Sequence, residues 1–393
     1  MNYIKFLFSK VLKNKLTWAS YLVVLFLSLV VLFLNSRNRN NDILKSDVKA
    51  TVLQMGLYVE QLERDKNAEG LSSEEKEKIS QDLSDGKEQL AKEKEFLKAI
   101  NSGDWAVVYA EQVNHLSKAV ETLEKNGADE AAIQGFKEGL LYYQALSDKN
   151  YPFENMTFPT QTIGFLQNLT IYYLPFLVTI MLVFVVSNLF GSIYRDKIDT
   201  FQILPIKMST RVIREVGIVT LLGIVLPALL LAVLGTVSSL LFGVGNPDYP
   251  IKFHMEGTED IYFSAIGQTI LPSLGLFLLA SCFVALFTYL IMCLVKNQML
   301  GLFISLLVSL GAVLLPQFVV PLQPLAHLIP TTYMSSFMVT TGQTAYGLNN
   351  TQITSQQGYL TLGVGIAFMI ASALFVGRKK LILCLDKTTF VTV

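Results

Sequence analysis

Six runs of about twenty apolar residues recur along the chain, near 16–35, 171–193, 216–242, 266–295, 299–320 and 359–377. Each matches the roughly 20 residues that a helix needs to cross a bilayer core about 30 Å thick. In lipid every backbone N–H and C=O must be paired internally, so runs of this length are helices. The rest of the 393 residues agree with a membrane protein: 52% are hydrophobic and only 16% charged, against about 25% charged in soluble domains. The predicted fold class is therefore an all-α polytopic membrane protein. It has six transmembrane helices, an extracellular helical domain and an N-terminal amphipathic interfacial helix.

Formal charge is zero, 31 Lys+Arg against 31 Asp+Glu, which gives no basic excess for nucleic acid. The charges are segregated by region. Lys5, Lys10, Lys13 and Lys15 precede the first run, and Arg195, Lys197, Lys207, Arg211 and Arg214 follow the second. Lys296 follows the fourth, and Arg378, Lys379 and Lys380 close the sixth. These are alternate loops, so the positive-inside rule makes them cytoplasmic, together with both termini. The first run ends in Leu34-Asn35-Ser36-Arg37 without a small-residue cleavage site and reads as a retained anchor rather than a signal peptide.

Within residues 1–15, Ile4, Leu7, Phe8, Val11 and Leu12 share one helical stripe, so this segment should lie in the inner interface. Residues 36–170 are charged, cysteine-free and of helical period, one outer domain between spans one and two. Leu44, Val48, Val52, Met55, Val59 and Leu62 mark its first helix, and Ser72 with Glu75 is a capping box opening the second. Trp105 to Leu123 gives a third, and Ile133 to Tyr143 a fourth behind Asp129. The periodicity fits a bundle or an extended hairpin. Pro175, Pro227 and Pro272 should kink spans two, three and four. Pro321, Pro324 and Pro330 break the apolar stretch 321–345, which reads as a re-entrant or interfacial segment on the outer side, with two extra short spans as the alternative.

No GxxxxGK[ST], GxGxxG after a strand, HExxH or GxSxG occurs. The three cysteines and three histidines form no metal-ligand spacing, and no catalytic residue or metal site is expected. The apolar cores of the spans contain no Asp, Glu, Lys or Arg, which argues against an ion-coupled carrier. The driving energy should enter from another polypeptide. Thr179, Ser187 and Asn188 in span two and Ser305 and Ser309 in span five are the mild polar groups available to line a pathway or to bind helices together.

The order of elements resembles the six-span permeases of ABC type 2 exporters, in the variety with a large outer domain between the first two spans. The resemblance rests on the leader Tyr3 to Lys15, the loop from Arg195 to Ile206, and the proline-rich stretch Pro321 to Pro330. In that loop Thr200, Leu204, Pro205, Arg211 and Arg214 match the family pattern, and Asp199 stands where the family often has glycine. The resemblance implies a cytoplasmic coupling loop at 194–214, a short charged helix in which Arg195, Asp196, Lys197, Asp199, Thr200, Leu204 and Pro205 transmit force from a separate ABC ATPase. It also implies a second permease chain, most simply a homodimer, with the pathway between spans two and five of the copies. ATP and Mg would be held by the partner and no cofactor by this chain. The expected location is a bacterial plasma membrane with lipids as neighbours, and the expected cargo is amphipathic: a peptide, lipid or hydrophobic drug. The alternative is a membrane-anchored peptide-binding immunity or sensor protein without transport.

Overall fold

The computed structural model describes residues 3–38, 41–67, 72–147, 149–195, 198–199, 208–255 and 258–389. Helix α1 (Tyr3–Lys13) leads into α2 (Lys15–Arg37), the first of six helices long and apolar enough to cross a membrane. The others are α8 (Leu174–Gly191), α9 (Met208–Phe242), α10 (Gly267–Val295), α11 (Gln298–Phe318) and the first part of α14 (Ser355–Thr389). Helices α8 and α10 are the most enclosed, and α2, α11 and α14 ring them with much of their apolar surface exposed. That exposure is what lipid-facing helices require.

Proline placement explains where the helices break. Pro175 lies in the first turn of α8 instead of kinking it, and a separate helix α7 (Thr162–Tyr172) ends just before. A proline lacks the N–H that the first turn would leave unpaired anyway, so it starts a helix at no cost. Pro227 and Pro272 do lie inside α9 and α10. Between α10 and α11 the turn is only Lys296 and Asn297: Lys296 takes a left-handed conformation at φ 52°, and the Asn297 side chain accepts from the Leu300 N–H at 3.1 Å. The stretch after α11 forms two 3-10 segments, Val320–Leu328 and Pro330–Met334, followed by short helices α12 (Ser336–Thr340) and α13 (Gln343–Gly347).

Two antiparallel helical hairpins stand on one side of the bundle, hereafter the domain side. The first is α3 (Asn41–Lys66) with α4 (Ser73–Ser102), the second α5 (Trp105–Lys125) with α6 (Glu130–Ser147). The Ser72–Glu75 capping box opens α4 as the sequence indicates, with the Glu75 N–H donating to Ser72 Oγ at 3.2 Å. Val59, Leu62 and Leu83 form a small distal cluster of their own.

The proximal core is larger and takes in a β-hairpin that the sequence reading leaves as a loop between spans three and four. Following in chain order on the two-residue strands β1 (Tyr194–Arg195) and β2 (Ile198–Asp199), strand β3 (Pro250–His254) pairs antiparallel with β4 (Ile261–Ala265), and Ile251 and Phe253 join Val48, Phe96, Tyr109 and Leu146 in one buried cluster. Side chains on α6 clamp this hairpin. Lys252 Nζ donates to both carboxylate oxygens of Glu138 at 2.8 and 2.9 Å, and the Tyr142 and Tyr249 hydroxyls meet at 2.7 Å. Burial pushes the Tyr249 phenol up to about 12 and that of Tyr142 well above its usual value, so both stay neutral.

The loop between spans two and three corrects one expectation. Residues 194–195 and 198–199 form a two-pair antiparallel ladder, Tyr194 opposite Asp199 and Arg195 opposite Ile198, so these four residues are extended where a charged helix is expected.

Candidate functional site

On the face opposite the helical domain, four helices meet at one carboxylate. Glu215 lies two turns into α9 and is 3% exposed. Arg211, one turn earlier and equally buried, donates from Nε to Glu215 Oε1 at 2.8 Å. The Tyr3 hydroxyl of α1 donates to the same oxygen at 2.5 Å, and the Tyr289 hydroxyl of α10 donates to Oε2 at 2.7 Å. Phe190 of α8 packs edge-on to the Tyr289 ring with centroids 4.8 Å apart.

Local sequence sets this geometry up. Arg211 and Glu215 at i, i+4 fall on one face of a helix, and Tyr3, Leu7 and Val11 at the same spacing turn one face of α1 into the bundle. Phe8 and Leu12, on the other side of that apolar stripe, stay exposed at 43% and 52%. Lys10 ties α1 to the end of α8 by donating from Nζ to the Leu189 carbonyl at 2.9 Å and to Ser192 Oγ at 3.0 Å. Burial lowers the Lys10 pKa, an effect that Glu215 partly offsets. Burial and the Glu215 charge both raise the Tyr3 phenol, which keeps it a donor. A carboxylate held by one cation and two hydroxyls is a structural link rather than a mobile proton carrier, because three charge-assisted hydrogen bonds fix both of its oxygens.

The residues singled out in the sequence fall into three groups. Arg195 and Asp199 occupy the 194–199 ladder, while Asp196, Lys197, Thr200, Leu204 and Pro205 lie outside the described residues. Thr179 is buried and donates to the Pro175 carbonyl at 2.6 Å; Ser187, Ser305 and Ser309 are buried with no hydrogen-bond partner for their hydroxyls. Asn188 is half-buried, and its Oδ1 accepts from Gln298 Nε2 of α11 at 2.7 Å. Helices α8 and α11 approach so closely there that a Cβ on Gly191 would lie 2.7 Å from the Gln298 side chain. His327 contributes its backbone carbonyl to Tyr333 and Thr361 at 2.8 and 3.0 Å.

Sequence reasoning missed Tyr3, Glu215 and Tyr289. The available signal was the lone acidic residue immediately before span three, one turn after an arginine.

Six apolar helices, two of them a closely packed central pair, with a polar junction at one face and a domain on the other, define a polytopic membrane bundle. A family model described as ABC-2 family transporter protein matches residues 15–376. The chain belongs to that family, as a membrane transport component that implies an ABC ATPase partner. Neither a curated protein nor a solved structure matches it.

Proposed function

We infer that the chain is the permease subunit of an ATP-driven exporter. Two copies pair in a bacterial plasma membrane with both termini cytoplasmic, and an ABC ATPase holding ATP and Mg docks at the 194–214 loop. The cargo is amphipathic. The observation that carries the reading is the Glu215 junction. It sits at the start of α9, directly after the loop, and joins α1, α9 and α10 by short hydrogen bonds. A push on the loop therefore displaces three elements together, not a frayed terminus. The reading is consistent with the absence, in the sequence, of any phosphate-binding loop.

Affinity purification of the tagged full chain from its native host tests it. An ATP-binding subunit should copurify, reconstituted vesicles should hydrolyse ATP only when that subunit is present, and flux should follow hydrolysis. Full transport by the chain alone in vesicles overturns the reading.

A further inference from the structure

A cavity of about 450 Å³ opens between α7, the domain-side half of α9 and the first turns of α10. It falls within the roughly 300–1,000 Å³ of small-molecule sites. Ile270 and Leu274 line it and are themselves partly exposed on the outside of α10, so it opens sideways toward the bilayer. Its wall carries no charge, and the hydroxyls in it already have acceptors: Thr162 donates to the Gly235 and Gly243 carbonyls. Thr170 donates to the Gln167 carbonyl, Thr269 to the Ile266 carbonyl and Ser273 to the Ile270 carbonyl, at 2.8, 2.7 and 3.2 Å.

One polar atom is left over. Gln167 Oε1 is buried without a hydrogen-bond partner, and a group in that position costs free energy until a donor reaches it. Gln167 and Phe337 also line a second chamber of about 240 Å³ beneath the β3–β4 hairpin. That chamber's wall is mainly apolar but, unlike the slot, includes the ionisable side chains Tyr142, Lys252 and His254, with Gln343 beside them. An apolar slot thus adjoins a chamber of mixed lining that includes the charged Lys252 side chain, and Gln167 with its unsatisfied acceptor lines both.

We propose that the two chambers form one binding site for a monoacyl lipid whose head group carries a hydroxyl beside the chain. The tail fills the slot and the hydroxyl donates to Gln167. The head lies near the Lys252–Glu138 pair, whose opposite charges suit a zwitterion. The slot's volume lies in the lower half of the small-molecule range, and a single chain is assigned to it. The site lies within one chain, and the proposal needs neither a nucleotide nor a transport step, so it stands apart from the exporter reading.

The test uses the full chain in phosphatidylcholine nanodiscs with a diazirine-bearing lysophosphatidylcholine, followed by peptide mapping. Labels should concentrate on residues 162–170, 228–232 and 266–278. Ala232→Phe, which fills the slot, should cut this labelling at least tenfold, and Gln167→Leu several-fold. Leu271→Phe, on the exposed side of α10 away from the lining, should leave it unchanged and reports that a bulky residue on this helix is tolerated. An unlabelled competitor lacking the glycerol hydroxyl should compete about tenfold more weakly than the parent lipid. Labelling spread evenly over all lipid-facing helices, indifference to Ala232→Phe in a monodisperse protein, or equal labelling by a two-chain phosphatidylcholine probe overturns the proposal.

Discussion

The hydroxyl of Tyr3 donates to Oε1 of Glu215 across 2.5 Å although 212 positions separate the two residues. This bond fixes the interfacial helix to the base of α9. Tyr3→Phe keeps the ring and removes only the donor. A buried hydrogen bond to a charged group is worth about 1.5–3 kcal/mol, so the variant should unfold measurably earlier in detergent. ATP-dependent flux should fall further than the stability loss accounts for, as read by hydrolysis and transport assayed side by side. Unchanged melting and unchanged flux would remove Tyr3 from the junction.

Arg211 and Glu215 offer a sharper comparison. Arg211→Met alone strands a buried carboxylate and should cost about 3–5 kcal/mol, whereas Arg211→Met with Glu215→Leu removes both charges and should regain most of that loss. Thermal melts of wild type, both single variants and the double variant complete the cycle. If the pair matters only for stability, the double variant also regains flux; if it transmits motion, flux stays low in a well-folded protein. A double variant as unstable as Arg211→Met would refute the pairing energetics.

Lys197→Ala with Asp199→Ala should leave hydrolysis by the ATPase partner running while flux drops several-fold, because these residues belong to the proposed docking loop. Vesicles assayed for phosphate release and transport in parallel would read this directly. Normal coupling would place the force-transmitting contact elsewhere.

His254 supplies a pH dependence on the domain side. Its ring stacks on Tyr346 with centroids 4.4 Å apart, and its Nδ1 lies 3.2 Å from the Thr258 carbonyl. Burial lowers its pKa below the usual 6.5, Lys252 adds to the effect, and the Thr258 carbonyl and Glu138 oppose it. The unfolded chain therefore binds the proton more readily than the folded one. The contribution to stability is complete above about pH 6.5 and is lost as the pH falls toward the depressed folded value. Melting between pH 8 and 5 should show a decline that His254→Phe abolishes while keeping the stack; an identical decline in both proteins would assign it to other groups.

Gly342 should tolerate no side chain. Its φ is 74°, and an added Cβ would lie 2.5 Å from the His254 carbonyl oxygen. The left-handed conformation alone costs a non-glycine residue roughly 1–2 kcal/mol, so Gly342→Ala should destabilise by more than about 2 kcal/mol. Gly347→Ala, where nothing lies within 4 Å, is the control expected to be near neutral by the same melt.

Whatever depends on composition or on neighbours along the chain was legible beforehand. Hydropathy places the six spans to within a few residues, except that α7 is split from span two and α9 starts earlier than its apolar run. The Ser72–Glu75 box is an i, i+3 relationship and could be read directly. Pro175 was misassigned because the same residue either kinks a helix or starts one, depending on what precedes it. Pro250 to His254 and Ile261 to Ala265 carry β-forming residues, but their short length and the dominance of helix around them hid the hairpin. The Glu215 junction was invisible for a different reason. Its partners come from α1, α9 and α10, and no local rule pairs a tyrosine at position 3 with one at 289. The side-chain placement of Thr179, Ser187, Ser305 and Ser309 likewise depends on which face each helix turns inward, which packing settles and spacing alone does not.

Helix α9 has 35 residues and at 1.5 Å per residue is about 52 Å long, well beyond the roughly 30 Å of a bilayer core. Its first turns carry the Glu215 junction, and its domain-side half borders the slot. A rod pivoting at its inner end carries residues 228–232, which border the slot, about 3 Å for every five degrees of rotation. A modest rocking at one membrane face therefore moves one wall of a chamber nearer the other.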